Sequence, residues 1–356
     1  MNNDWGRGNE MQLYRLCWLL LIAGLGLPGG FARAAQPTTA ANVHIIARFT
    51  IGGNDLGYDY LRVDAGTRRL FVAHATRIEV LNADTGQKLG EIGGMHGIHG
   101  IEIVPSLAKG YSSDGLDRTV TVFDRSTLGI LKKIKYTGVK PDAIQYDPDS
   151  RRLFVVNGGA SGDVTVIDPT TDAIVDTVDL AGSKLEQIGF DGRGRAFVND
   201  EGKNVVHVFD TRTLKAIADW PLAPCEEPTG MALDESHHRL FAACGNQKLA
   251  VLDSDSGRVV ATPAIGRDPD GAAFDPARQR IYTSNKEGTL SVLQEVSPDR
   301  YETLQTVTTE PGARTLALDE KSGRIFMPTA RTGAAPAGGG TAPILPQSFV
   351  VLVAGE

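Results

Sequence analysis

The sequence predicts an all-β fold, a seven-bladed β-propeller in which each blade is a four-stranded antiparallel sheet. Three observations predict it. A unit of about 42 residues recurs along the chain, apolar and polar residues alternate at every second position within each unit, and frequent Gly (41 residues) and Pro (18 residues) separate the alternating segments. Four short strands per unit at this period are typical of a propeller blade.

The first segment of the chain has the composition of a secretory leader. An apolar run at 16–27, too short to span a bilayer comfortably, follows Arg15 and precedes the small-residue site Ala32, Arg33, Ala34. We therefore expect a signal peptide at 1–34, bacterial-type Sec export, and a periplasmic or secreted propeller at 35–356 with no membrane span. Met11 is an alternative start residue, and an uncleaved membrane anchor is the alternative to cleavage.

The third strand of each unit is the clearest part of the repeat. Six copies end 41 to 44 residues apart, and a diverged seventh copy lies at 349–353. The copies are IEVLN (78–82), VTVFD (120–124), VTVID (164–168), VHVFD (206–210), LAVLD (249–253) and LSVLQ (290–294). First strands are expected to end at Asp64, Val104, Asp147, Asp191, Asp234, Asp275 and Asp319. The third-strand copies and the first-strand ends both indicate seven units.

The two ends of the chain are expected to share the last blade. The seventh unit has strands near 314–319, 324–329 and 348–354, and no fourth strand follows them. The segment 43–53 resembles the fourth strand of the other units but has no unit of its own. We therefore expect it to pair with 349–353, which would cover a sheet edge that otherwise invites aggregation.

The second strands carry a family resemblance. RLFVVN (152–157), RAFVND (195–200) and RIYTSN (280–285) each precede a third-strand copy, and together they resemble the YVTN-repeat, YncE-like exported β-propellers. The resemblance spans roughly 42–356. It implies the propeller fold and export, whereas it leaves the function open, because such relatives include surface-layer and periplasmic proteins and related propellers occur in dehydrogenases and lactonases.

The charge balance argues against nucleic acid as a partner. Thirty-six Lys and Arg residues face 43 Asp and Glu residues, for a net charge of −7. No broad basic face is therefore available to phosphate backbones. A DNA-binding role is discussed for the YVTN family, and this acidic balance disfavours it here.

Candidate ligand residues follow from the geometry of a propeller, in which the chain enters the first strand and leaves the second strand on the same face. Residues at these two places should surround one mouth of the central channel. The first-strand positions are Asp59, His99, Asp142, Glu186, Thr229, Asp270 and Arg314. The second-strand positions are His74, Asp114, Asn157, Asp200, Cys244, Asn285 and Thr329.

Several carboxylates around one pore suit a divalent cation or a cationic ligand, with His99 or His74 as a nitrogen ligand. The alternative is structural, because strand-end Asp and Asn commonly cap turns through the backbone and acids at a channel mouth can simply hold water.

Two further features belong to single blades. Cys225 and Cys244 open and end consecutive strands of the fifth unit, so that they either form a disulfide or remain two small buried side chains. The Gly-, Ala- and Pro-rich stretch at 332–347 is expected to form a flexible insertion in the seventh blade, either a flap over the mouth or a tolerated surface loop.

The leading functional hypothesis is a non-catalytic module that binds a small molecule or a protein at the channel mouth. The sequence contains no CxxCH, P-loop, GxSxG or HExxH motif, so we expect no haem or nucleotide cofactor, and a divalent cation stays open. The first alternative is a lactonase-like or metal-assisted hydrolase that uses the same mouth. The second is a structural or adhesive protein of the cell envelope. We expect a monomer.

Overall fold

The computed structural model describes residues 42–53, 57–136, 138–159, 161–334 and 342–356. The signal peptide expected at 1–34, the alternative start at Met11 and the centre of the insertion at 332–347 lie outside the described residues. Within the described residues the strands form seven four-stranded antiparallel sheets, which confirms the seven-bladed propeller.

The strands follow the predicted repeat. Blade 1 comprises β2 (Leu61–Asp64), β3 (Arg69–His74), β4 (Arg77–Asn82) and β5 (Lys88–Ile92). Blade 2 comprises β6 (Ile98–Val104), β7 (Lys109–Asp114), β8 (Thr119–Asp124) and β9 (Ile130–Lys135), with a turn of 3-10 helix at Pro105–Leu107. Blade 3 comprises β10 (Pro141–Asp147), β11 (Arg152–Asn157), β12 (Asp163–Asp168) and β13 (Ala173–Asp179). Blade 4 comprises β14 (Leu185–Phe190), β15 (Arg195–Asp200), β16 (Val205–Asp210) and β17 (Ala216–Pro221).

The remaining blades have the same order. Blade 5 comprises β18 (Pro228–Asp234), β19 (Arg239–Cys244), β20 (Lys248–Asp253) and β21 (Val259–Ala261). Blade 6 comprises β22 (Pro269–Asp275), β23 (Arg280–Asn285), β24 (Thr289–Ser297) and β25 (Arg300–Thr308). Blade 7 comprises β26 (Ala317–Asp319), β27 (Arg324–Thr329), β28 (Val350–Gly355) and the N-terminal β1 (His44–Thr50). Six first strands end at the predicted residue, and β14 ends at Phe190, one residue before Asp191.

The hydrophobic core lies between the blades. In β12 the apolar Val164 and Val166 and the polar Thr165 are all buried, because neighbouring blades cover both faces of the sheet. By contrast, the outermost strand β9 is largely exposed. The apolar residues form clusters that each join two adjacent blades, such as the cluster of blades 3 and 4 and the cluster that joins blade 7 to blade 1. Burial is thus shared by neighbours, as stacked repeats require.

Blade 7 is closed by the N-terminal strand. β1 pairs antiparallel with β28, from His44 opposite Gly355 to Thr50 opposite Val350, with a register shift between Ile45 and Ala47. The segment also reaches blade 6, because Gln305 accepts a hydrogen bond from the Val43 backbone N–H and donates one to the Val43 carbonyl. The predicted closure of the last blade by the N-terminal strand is confirmed.

A central channel of about 530 Å³ runs along the first strands of the blades. Its lining includes residues from every first strand, among them Leu61, Gly100, Ala143, Gln187, Met231, Ala272 and Ala317. One end of the channel lies where these strands begin, and the other lies where they turn into the second strands. Among the residues that the structure describes, no helix is long and apolar enough to cross a membrane.

Candidate functional site

Six predicted residues come together at the end of the channel where the first strands begin. We call this opening the mouth and define it by Asp59, His99, Asp142, Glu186, Asp270 and Arg314. A recurring turn places several of them. The residues two positions before His99, Asp270 and Arg314 all have a positive φ angle. These residues are Gly97 (65°), Asp268 (51°) and Gly312 (88°), so the backbone enters the three first strands through a similar turn.

Asp59, His99 and Asp142 form one side of the mouth. The His99 Nδ1 lies 2.7 Å from the Asp59 Oδ2 and 3.7 Å from the Asp142 Oδ1. Burial of His99 opposes its protonation, but the hydrogen bond to Asp59 and the charges of both carboxylates outweigh burial and raise the pKa of His99. One ligand atom from each residue lies within 4.8 Å of the others, so the three side chains could hold a metal ion.

Arg314 links Asp59 to Asp270 on the other side of the mouth. Its Nε lies 3.3 Å from the Asp270 Oδ2, and its Nη2 lies 3.7 Å from the Asp59 Oδ1. Burial raises the pKa of Asp270 to about 6, and the charges of Asp59 and Asp142 add to this rise, although Arg314 opposes it. The guanidinium therefore compensates only part of the negative charge.

Three charged residues at the strand entries and turns of the mouth, Lys140, Lys184 and Glu201, were not predicted from the sequence, and Lys286 is a fourth. Lys140 Nζ lies 3.0 Å from the Asp142 Oδ2, Lys184 Nζ lies 3.6 Å from the Glu186 Oε1, and Lys184 also pairs with Glu201. The two lysines could have been predicted from the sequence. Each precedes its carboxylate by two residues and therefore lies at the turn that enters the same first strand. The mouth is thus less negative than the predicted set alone implied.

Carboxylates still outnumber permanent cations among the described residues of the mouth. Burial raises the pKa of Glu186 well above its ordinary value, and repulsion from Asp142, a hydrogen bond with Glu201 and repulsion from Asp270 raise it further. Tyr60 lines the channel and is also affected. Burial and the charges of Asp270 and Asp142 raise the pKa of its hydroxyl. The mouth therefore favours an added positive charge.

The second-strand residues do not face the mouth. His74, Asp114, Asn157, Asp200 and Asn285 are at most 1% exposed and are engaged inside their own blades. Asp114, for example, accepts hydrogen bonds from Ser112 and Thr121, at 2.8 and 2.5 Å. The expectation that these five side chains surround the opening is therefore corrected, and turn capping and blade packing account for them.

The register of the strand explains the correction. Successive side chains of a strand point to opposite sides, so the residue after each strand end faces the opening instead. Glu201 and Lys286, which follow Asp200 and Asn285, line the mouth together with Thr229 and Arg314. His74 is held by Glu79, whose Oε1 lies 3.2 Å from its Nδ1, and His74 is therefore not available as a ligand at the mouth.

Two apolar side chains flank the charged ring. Leu116 is 81% exposed, and Val139 is 48% exposed. Leu116 lies against Gly97, at the entry to the strand of His99, and Val139 precedes Asp142 by three residues. An exposed apolar rim beside a charged ring suits a ligand that has both a charged and an apolar part.

Cys225 and Cys244 are joined as a disulfide, with their Cα atoms 5.8 Å apart. The bond ties the loop that enters blade 5 to the end of β19, beside the pairing of Pro228 with Cys244. Both cysteines are buried. The bond therefore fixes the strand entry next to Thr229 at the mouth.

The flanks of the insertion at 332–347 are bonded to each other. Gly333 N–H donates to the Pro343 carbonyl at 2.8 Å, and Leu345 N–H donates to the Arg331 carbonyl at 2.8 Å. Residues 335–341 lie outside the described part of the chain. The insertion joins β27 to β28 on the face that carries the mouth.

Comparison with known proteins supports the resemblance seen in the repeats. The chain is 25% identical over 197 residues to an uncharacterised protein named YncE from Salmonella typhi and equally to YncE from Salmonella typhimurium. The aligned region covers 53% of this chain, and the chain spans about half the length of these curated relatives, 54% of each. No protein-family model matches the chain.

Solved structures share the fold. The WD40 repeats of RRP9 superpose with a TM-score of 0.73 and 11% sequence identity, covering 88% of this chain and 98% of theirs. A structure of U3-55K superposes with a TM-score of 0.71 and 11% identity, covering 87% of this chain and 98% of its own. At this identity the likeness extends to the fold alone. The relatives and the seven blades together confirm a YncE-like β-propeller.

Proposed function

We propose that this YncE-like propeller is a non-catalytic binding module whose mouth takes a ligand with a cationic group. The single observation that carries the proposal is the excess of carboxylate at the mouth, where burial and then mutual repulsion raise the pKa values of Glu186 and Asp270. A bound cation would take the place of the protons that these groups retain. Ligand binding is the usual role of a concave site with a few convergent polar groups.

The shape of the mouth adds to the argument. The pocket at the mouth has a volume of about 220 Å³ and is lined in part by Asp270 and Arg314, so it has room for a small cationic group or for the end of one side chain of a protein partner. Leu116 and Val139 offer apolar contact beside Asp142. The ligand class is therefore an organic cation with an apolar body, free or as the basic side chain of a protein.

The site is proposed to work outside the cytoplasm. The apolar run at 16–27 and the small residues at 32–34 support export through a cleaved signal peptide. The curated relatives are bacterial proteins. A bacterial periplasmic or secreted protein with a ligand pocket would capture its ligand there.

Calorimetric titration with benzamidine tests the proposal, because its amidinium is cationic and its ring is apolar. The matched neutral probe is benzamide. We expect benzamidine alone to bind, and the double variant Glu186→Gln/Asp270→Asn to weaken its binding about tenfold or more, since each lost carboxylate removes a charge-assisted contact. Asp176→Asn, on the exposed strand β13, is the control and should bind as the wild type does. Equal binding of benzamide, or unchanged binding by the double variant, would contradict the proposal.

A metal-assisted hydrolase is the second candidate, and the arrangement of Asp59, His99 and Asp142 favours it. Two carboxylates and an imidazole suit a divalent transition metal, and a metal held there would polarise a carbonyl of the substrate. Melting with added Zn²⁺ or Mn²⁺, followed by lactone and ester hydrolysis assays, tests this candidate. Hydrolysis that requires the metal and is lost in His99→Gln would support it, whereas an inactive metal-loaded protein would exclude it for these substrates.

A further inference from the structure

A second group of histidine and carboxylate side chains lies on the face opposite the mouth. Asp234 ends β18 of blade 5, His237 lies in the turn that follows, and Glu295 lies in β24 of blade 6. The His237 Nδ1 is 2.6 Å from the Asp234 Oδ2 and 3.0 Å from the Glu295 Oε1. Asp234 is 2% exposed and Glu295 is 5% exposed, so two buried acids share one partly exposed imidazole.

The same position in blades 1, 4, 6 and 7 is occupied by an ion pair with arginine. Asp64, at the end of β2, accepts from the Arg125 Nε at 2.5 Å. The equivalent aspartates of blades 4, 6 and 7 likewise meet a guanidinium. These pairs are Asp191 with Arg195 at 2.7 Å, Asp275 with Arg278 at 2.8 Å and Asp319 with Arg68 at 2.7 Å. In these four blades a guanidinium thus neutralises the buried aspartate, whereas Asp147 of blade 3 accepts hydrogen bonds from the backbone N–H groups of Asp149 and Ser150.

Blade 6 reverses the charge at this position. Arg125 lies 61 residues after Asp64 and directly follows the third-strand copy of blade 2. Glu295 lies at the same separation from Asp234 and directly follows the third-strand residues 290–294 of blade 6. The repeat therefore places a glutamate where blade 2 supplies the neutralising arginine.

The glutamate is also left without hydrogen bonds. Both Glu295 carboxylate oxygens are buried, and neither accepts a hydrogen bond, although the His237 Nδ1 lies close to one of them. The neighbouring Arg239 donates its hydrogen bonds to groups other than Glu295. Its guanidinium donates to the carbonyls of Pro298 and His237 and to the carboxylate of Asp299. A buried carboxylate that accepts no hydrogen bond is costly, and the imidazole close to Glu295 is shared with Asp234, so this corner is short of positive charge.

We propose that Asp234, His237 and Glu295 form a divalent transition-metal site that joins blades 5 and 6. One ligand atom from each residue lies within 4.8 Å of the others, and all three are accepted ligands of Zn²⁺ and related ions. The metal would bind the His237 Nδ1 in place of its proton, which leaves to solvent, and one oxygen of each carboxylate. Water completes the coordination on the exposed side of His237.

The repeat itself supplies the test. Glu295→Gln removes a ligand, whereas Glu295→Arg recreates the Asp64 and Arg125 pair of blades 1 and 2. His99→Gln, at the mouth, removes the nitrogen of the other candidate metal cluster and serves as the control. Co²⁺ titration by visible absorption and Zn²⁺-dependent melting are measured on the full chain.

We expect the wild type and His99→Gln to bind Co²⁺ at this site and to melt at higher temperature with Zn²⁺. Both Glu295 variants should lose one bound equivalent and weaken binding about tenfold or more. Glu295→Arg should melt without metal at or above the wild-type temperature, which also shows that it folds. The proposal is overturned if the wild type binds no metal, if both Glu295 variants keep the full stoichiometry, or if His99→Gln abolishes all binding.

Discussion

Glu79 is held inside blade 1 by three basic side chains. Its carboxylate lies 2.6 Å from the Arg77 Nε, 2.9 Å from the Lys88 Nζ and 3.2 Å from the His74 Nδ1. Burial acts against ionisation, but the hydrogen bonds to His74, Lys88 and Arg77 outweigh it and lower the pKa of Glu79 to about 2. At the scale of the residue, the charge of Glu79 is paired inside its blade, whereas negative charge at the mouth is in excess.

Glu79→Gln should therefore destabilise the protein in a pH-dependent way. The pKa of Glu79 is lower in the folded state than in the unfolded chain, so its contribution is present above pH ~4.5 and lost as pH falls through about 2. We expect the variant to lose on the order of 2 to 3 kcal/mol of unfolding free energy at pH 7 and little near pH 2. Denaturant unfolding at both pH values measures it, with the exposed Glu91→Gln as control. Equal losses at both pH values would contradict the assignment.

Asp270 gives the mouth a pH dependence. Its pKa is raised to about 6 in the free protein, so below that pH a bound cation must first displace a proton. Benzamidine should bind more tightly as pH rises from 5 to 7, and Asp270→Asn should flatten this part of the profile. Calorimetry in buffers of different ionisation enthalpy also counts the released proton. A wild-type profile that is flat between pH 5 and 7 would argue against a role for Asp270.

At the scale of the element, the last blade depends on a strand from the opposite end of the chain. β1 contributes Phe49, whose ring lies 6.2 Å from the ring of Phe326 on β27, and covers the otherwise open edge of β28. The core cluster that joins blade 7 to blade 1 includes Phe49 together with Leu70 of blade 1. Closure of the ring and burial of this cluster are therefore coupled.

Deleting residues 42–52 should abolish the single cooperative unfolding transition. The deletion exposes the edge of β28 and the apolar residues that β1 covers, and the ring loses its closure. A chain that begins at residue 42 keeps β1 and is the control. Thermal melting by circular dichroism and by calorimetry distinguishes them, and a deletion variant that melts like the control would refute the closure.

The disulfide of blade 5 is expected to stabilise the fold. The bond between Cys225 and Cys244 closes a loop with a sequence separation of 19 residues, so its loss should cost about 3 kcal/mol. Cys225→Ser/Cys244→Ser should shift the denaturant midpoint down accordingly. A free-thiol assay on unreduced, denatured protein comprising residues 35–356 should find no thiol, and two thiols per chain would show that the bond does not form.

At the scale of the whole molecule, periodicity made the fold predictable. Third-strand copies such as 120–124 and 164–168 repeat at a nearly constant distance, and a lone blade would leave its apolar faces exposed, so a stacked ring follows from the sequence. The extra length of β24, at Thr289–Ser297, did not follow from the repeat. The repeat places Glu295 at the position of Arg125, but only the folded structure shows that Glu295 lies close to His237, which Asp234 also holds.

The site was predictable in part, for a physical reason. Asp59, His99 and Asp270 occupy equivalent positions of the repeat, near the start of a first strand. The repeat alone therefore predicts that they lie at one opening of the channel. The direction of a side chain at a strand end follows the alternation along the strand, so two consecutive residues point to opposite sides. Asp200 therefore lies inside blade 4, where His207 and Ser183 hold it, and Glu201 reaches the mouth.

A crystal structure of the protein with bound benzamidine tests the central claim most directly, because it shows where a cation binds. The account predicts the amidinium in the mouth, about 3 Å from the carboxylates of Asp270 and Glu186, with the ring toward Leu116 or Val139. Benzamidine bound on a blade edge, with the mouth holding only water, would contradict it.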